Sequence, residues 1–146
     1  MCAAILATLS ARSAAYNDYQ KLLIEWNKEC IKEPFLTAVN DDIREEFEST
    51  HSQPFNAFKN AGGERQMSNF SYMQLNTFEI VFEFEQRIPG RLVAFFLCIF
   101  CLTNHQHEAW MSYFRYQVSR SSVMRGLIAR DDLEQYYTKR FSRFAK

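Results

Sequence analysis

Eleven consecutive residues, Leu92 to Leu102 (LVAFFLCIFCL), carry no charged side chain. A helix needs roughly 20 apolar residues to cross a bilayer, so this run is too short to span one. An apolar segment of this length fits a helix covered on all sides inside a soluble core. The expected fold is therefore all-α, a single-domain bundle of about five to seven helices around a buried central helix at Leu92–Leu102.

Size and composition agree with that frame. A chain of 146 residues falls within one domain. It can bury about two thirds of its unfolded surface without staples. Four glycines and three prolines are too few for a turn-rich β fold, while fourteen Phe and seven Tyr supply bulky core material. The cysteines, Cys2, Cys30, Cys98 and Cys101, form no dense disulfide framework. That pattern suits a reducing, cytoplasmic setting.

Helical periodicity organises most of the chain. Tyr16, Tyr19, Leu23, Trp26 and Cys30 lie on one stripe of a helix predicted over Ser13–Glu33 and stopped by Pro34. Residues 1–12 have two readings: the first turns of that helix, or the end of a membrane-anchoring segment that tethers the protein to the inner face of a membrane. Asn40 is placed to cap a second helix with Asp41 and Asp42 in its first turn and Ile43 and Phe47 turned inward. Pro54, Gly62 and Gly63 predict an irregular loop over Ser49–Arg65, with Phe55 and Phe58 anchoring a single turn. Gln66–Arg87 has a wide apolar face, and its TFEIVFEFE segment also alternates with a strand-like period; the flanks favour a helix. Further helices are predicted over about 105–118, over VMRGLIAR behind a Ser121 or Ser122 cap, and at the end. The last carries Leu133, Tyr137, Phe141 and Phe144 on one stripe, with Asp131 and Glu134 at capping-box spacing.

Charge is balanced overall, seventeen bases against seventeen acids, but not along the chain. Residues 110–146 hold eight bases and three acids, net +5, and residues 1–109 are −5. Such asymmetry marks either an anion site or two halves that attract each other. The candidate ligand-binding residues are Arg115, Arg120, Ser121, Ser122 and Arg125. Hydroxyls and free N–H groups at a helix start, with guanidinium groups beside them, can hold a phosphate or carboxylate. The competing reading is a serine-capped turn with solvated arginines. In Tyr113-Phe114-Arg115-Tyr116 and Tyr136-Tyr137-Thr138-Lys139-Arg140-Phe141 aromatics interleave with bases, the side chains that stack and neutralise nucleotides. At helical spacing the same rings can instead be core.

A weaker metal alternative is Cys98, Cys101 and His105, followed by His107, since four zinc-type ligands fall within ten residues. Buried thiols packing as small hydrophobes explain the cysteines equally well. No catalytic signature is present: there is no G-x-S-x-G, Walker loop, H-E-x-x-H or dinucleotide fingerprint. The expectation is a non-enzyme without cofactors.

Three pieces in order, ILATLSAR…YNDYQKLLIEWNKECIKEP, SYMQLNTFEIVFEFEQ, and W-x2-Y-F…S-R-S-S-V-M-R-G-L with Tyr136, resemble bacterial domain-of-unknown-function families of small helical proteins. Members often carry an N-terminal transmembrane helix. The resemblance implies an all-α cytosolic bundle, tethered at its N-terminus, and brings no catalytic residues with it. The functional expectation is a non-enzymatic binding or sensor domain for an anionic, nucleotide-like small molecule, with duplex DNA not expected as a partner. The alternative is a protein–protein interaction or homo-oligomerisation module, with the aromatic stripe of the first or last helix as its seam.

Overall fold

The computed structural model describes residues 2–87 and 105–146. The run Leu92–Leu102, expected at the centre of the bundle, lies outside the described residues. The fold is all-α, with no strand among the described residues. In chain order the helices are α1 (Cys2–Lys32), α2 (Asp41–Thr50), α3 (Ser52–Phe58), α4 (Glu64–Arg87), α5 (His105–Arg120), α6 (Ser122–Ile128), α7 (Leu133–Tyr136) and α8 (Lys139–Ala145). A 3-10 turn, Pro34–Val39, joins α1 to α2, and a wide π-type turn, Lys59–Gly63, joins α3 to α4. No helix among the described residues is long and apolar enough to cross a membrane.

The described core is organised around α4. This helix packs against α1, the 3-10 turn, α5, α6 and α8. Its sequence explains why: Met67, Phe70, Leu75, Phe78 and Val81 are all buried, as are the polar Ser71, Gln74 and Thr77. An apolar face that wide needs cover from several sides. Phe78 is the hub, with its ring centroid 5.9 Å from Trp26, 6.2 Å from Trp110 and 4.9 Å from Phe114. Trp26 arrives from the α1 stripe, where Tyr16 and Tyr19 are also buried. The aromatic stripe of α1 is thus covered by its own bundle, and so is Phe141 in the last helix.

The first helix begins at Cys2 and so takes in residues 2–12 as well as the predicted span. Four local expectations are corrected. The predicted loop over Ser49–Arg65 is largely helical: α3 and the π-type turn occupy most of it. The reason is a second aromatic cluster, in which Phe55 and Phe58 are buried against Phe35, with Phe47 also packed on Phe55. Pro54 falls in the first turn of α3, where its missing N–H is harmless. Asn40 sits at the start of α2 in an extended conformation but makes no side-chain cap. The last predicted helix is two, because Tyr137 is extended and Thr138 caps α8 by accepting a bond from the Phe141 N–H. The capping box at Asp131 is likewise absent; Asp132 precedes α7 and its carboxylate turns to Arg130.

Candidate functional site

The basic C-terminal quarter divides into two structural groups. The first is a clasp at the corner between α5 and α6. Ser121 starts α6 and its hydroxyl accepts the Met124 N–H at 3.1 Å, so this buried serine is a helix cap. Ser122 donates from its N–H (3.0 Å) and its hydroxyl (2.6 Å) to the Asp41 carboxylate. Arg125 reaches the same carboxylate at 2.8 Å while its other arm donates to the carbonyls of Val118 and Ser119. Arg120 pairs with Asp42 and lies over the Tyr116 ring, whose hydroxyl it also meets. Asp41 and Asp42 are the first two residues of α2, so the clasp fastens the acidic start of one helix to the corner formed by two others.

Four of the five candidate ligand residues, Arg120, Ser121, Ser122 and Arg125, are therefore engaged within the chain. The corner binds carboxylate as its chemistry predicted, but the carboxylate is the protein's own. The acidic first part and basic last part attract each other here, as the charge asymmetry allowed. Desolvation works to raise the Asp41 pKa, yet the Ser122 hydroxyl and N–H and the Arg125 guanidinium outweigh it, and the net shift is downward from 3.8. The Arg120 bond likewise lowers Asp42.

A pH dependence follows. A carboxylate with a depressed folded pKa stabilises the fold above its unfolded value and loses that contribution as pH falls through the folded one. The clasp should therefore weaken below about pH 4. Asp41→Asn keeps the shape and removes the charge. It should cost about 1 kcal/mol at neutral pH, a charge-assisted bond reduced by solvent screening. It should also flatten the acid limb of a stability–pH curve from urea titrations. An unchanged acid limb would show that the clasp contributes nothing.

The second group is open. Arg115, Lys139, Arg140, Arg143 and Lys146 are all exposed, and none forms an ion pair with a carboxylate among the described residues. The sequence turns them outward. In α8, Phe141 and Ser142 are buried, and Phe144 stacks at 4.8 Å on Phe82 and 5.7 Å from Phe114. With those residues inward, Lys139, Arg143 and Lys146, at i, i+4 and i+7, take the outer face, and Arg140 flanks them. Arg115 of α5 lies with its guanidinium 5.6 Å from the Phe144 ring centroid, which brings it beside α8. At the other end, Glu79 and Glu83 of α4 accept bonds from the Thr138 N–H and hydroxyl and fix where α8 begins. Nearby, Arg130 is held by Asp132 and by the Tyr72 hydroxyl.

The interleaved aromatics also divide. Phe114, Tyr137 and Phe141 are core, and burial together with Glu79 and Tyr72 pushes the Tyr137 hydroxyl up to about 12. Tyr116 and Tyr136 stay exposed, Tyr136 by 63%. A shallow, open cleft between α1 and α5, lined by Gln20, Leu23, Ala109, Trp110 and Tyr113, offers no charged group for an anion. Of the metal alternative, Cys98 and Cys101 lie outside the described residues and His105 opens α5. No cluster of three or more metal-type side chains occurs among the described residues. Of the open basic face the sequence reading named only Arg115 as a ligand residue, because periodicity could not tell which bases had internal partners. The signal was the absence of any acid after Glu134. No protein-family model, curated protein or solved structure matches the chain.

Proposed function

We propose that this chain is a non-enzymatic helical binding domain that recognises an anionic, nucleotide-like ligand through its basic C-terminal quarter. One observation carries the reading. Of eight bases after residue 109, Arg120, Arg125 and Arg130 are paired with Asp42, Asp41 and Asp132, while the other five, on and beside α8, have no carboxylate partner among the described residues. Unpaired like charges held side by side repel one another and cost stability unless an outside anion meets them. Arg115 is the one originally predicted ligand residue that belongs to this face.

Inorganic polyphosphate is a suitable first probe, because it offers phosphate charge without a base. Its binding, followed by calorimetry, should weaken steeply with salt as condensed cations are displaced. The triple variant Arg140→Ala, Arg143→Ala, Lys146→Ala should lose most of the affinity and much of the salt slope, roughly one unit per phosphate contact removed. The double variant Arg120→Ala, Arg125→Ala should lower thermal stability and, below its melting range, keep the affinity. Absence of polyphosphate binding at low salt, or an equal loss in both variants, would overturn the reading.

A further inference from the structure

Resting on that reading, we infer that the ligand of the open face is a single-stranded nucleic acid, held by the α8 cations and stacked on Tyr136. From Lys139 to Lys146, which follows the last residue of α8, the four cations are spread over seven residue steps, about 10 Å at 1.5 Å per step. That is the length of about three nucleotide steps at about 3.4 Å each. A single mononucleotide would engage only part of such a row. Its cations lie along an outer helix face, exposed one after another. An extended polyanion meets the whole row at once.

Tyr136 identifies the polyanion. It ends α7, three residues before Lys139, so its backbone lies no more than about 11 Å from the start of the cationic row. Tyr136 is 63% exposed although Tyr137, the next residue, is buried. An exposed aromatic beside a basic track is the arrangement that stacks one unpaired base while the track neutralises the phosphates. Tyr116, the other exposed tyrosine of this quarter, has Arg120 over its ring at 5.0 Å and is already covered on one side. Tyr136 is thus the better platform. A duplex keeps its bases stacked on one another and presents none to the ring.

A lipid surface fits less well. Membrane-adsorbing faces pair their cations with exposed aliphatic or large aromatic anchors. Here every exposed large aliphatic or methionine side chain among the described residues belongs to α1 or α4, and Phe141 and Phe144 of α8 are turned into the core.

The test uses the full chain and fluorescence anisotropy with four competitors: a mixed-sequence single strand, the duplex of that sequence, polyphosphate of matched charge, and anionic phospholipid vesicles. The single strand should bind more tightly than the duplex or polyphosphate near physiological salt. With four phosphates neutralised along the row, its affinity should fall about fiftyfold between 50 and 200 mM salt. Tyr136→Ala should weaken single-strand binding roughly tenfold and leave polyphosphate binding unchanged, while Tyr136→Phe, which keeps the ring, should match the parent. Unchanged thermal melts would certify that the variants fold. If polyphosphate binds but the single strand gains nothing over it, or Tyr136→Ala has no effect, the inference fails and the anion-binding reading stands. Vesicles binding more tightly than the single strand would also overturn it. If neither polyphosphate nor single strand binds, the functional reading itself falls.

Discussion

Phe78→Ala should lower the free energy of unfolding by about 3–5 kcal/mol, the range for truncating a fully buried phenylalanine whose cavity cannot collapse. The side chain is completely buried, and three of its neighbours, Trp26, Trp110 and Phe114, come from α1 and α5, so no single helix can shift to fill the space. A loss of that size would consume much of the 5–15 kcal/mol typical of a domain and bring the variant close to unfolding at ordinary temperature. Urea titration followed by tryptophan fluorescence is a direct measurement, because both tryptophans touch the site. The midpoint should fall with the slope unchanged. The comparison variant is Ile80→Ala, two residues away on the same helix but more than half exposed, which should change stability by less than about 0.5 kcal/mol. Equal losses at the two positions would show that α4 presents a different face to the bundle.

That contrast also shows how far the sequence could be read. Three- and four-residue spacing placed Trp26, Phe70 and Phe141 inward because burial of an amphipathic stripe is decided locally. It could not tell that α4, rather than another apolar segment, gathers the described helices around itself. That depends on which faces meet, and spacing within one helix carries no such information. The loop predicted around Pro54 and Gly62 failed for a related reason. Local breakers argued for irregular chain, but Phe35, Phe47, Phe55 and Phe58 together gain enough by packing to keep it helical. At the corner between α5 and α6 the chemistry was legible and the partner was not. Ser122 and Arg125 suit a carboxylate, but that Asp41, more than eighty residues earlier, supplies it is a tertiary fact. Conversely, the open cations of α8 became distinguishable only once Arg120, Arg125 and Arg130 had been assigned their partners.

The same distant packing makes the turn before α4 sensitive to a single methyl group. Gly62 has φ +92°, a conformation that costs an L-residue roughly 1–2 kcal/mol, and nothing crowds it. Gly63 differs: its backbone is ordinary, but a β-carbon there would overlap the Phe58 ring. That ring cannot simply swing away, since it is buried with its centroid 5.4 Å from Phe35 and 6.2 Å from Phe55. Overpacking of this kind costs about 1–3 kcal/mol, and the gain in helix propensity from glycine to alanine offsets up to about 1 kcal/mol. Gly63→Ala should therefore destabilise by about 2 kcal/mol, read as a lower urea midpoint. Phe58→Leu alone should also destabilise, but in the Gly63→Ala background it should cost less, because the smaller side chain makes room for the methyl group. Strict additivity of the two substitutions would mean that the glycine and the ring do not touch, and with that the explanation for a helical Ser52–Gly63 segment would lose its tightest contact.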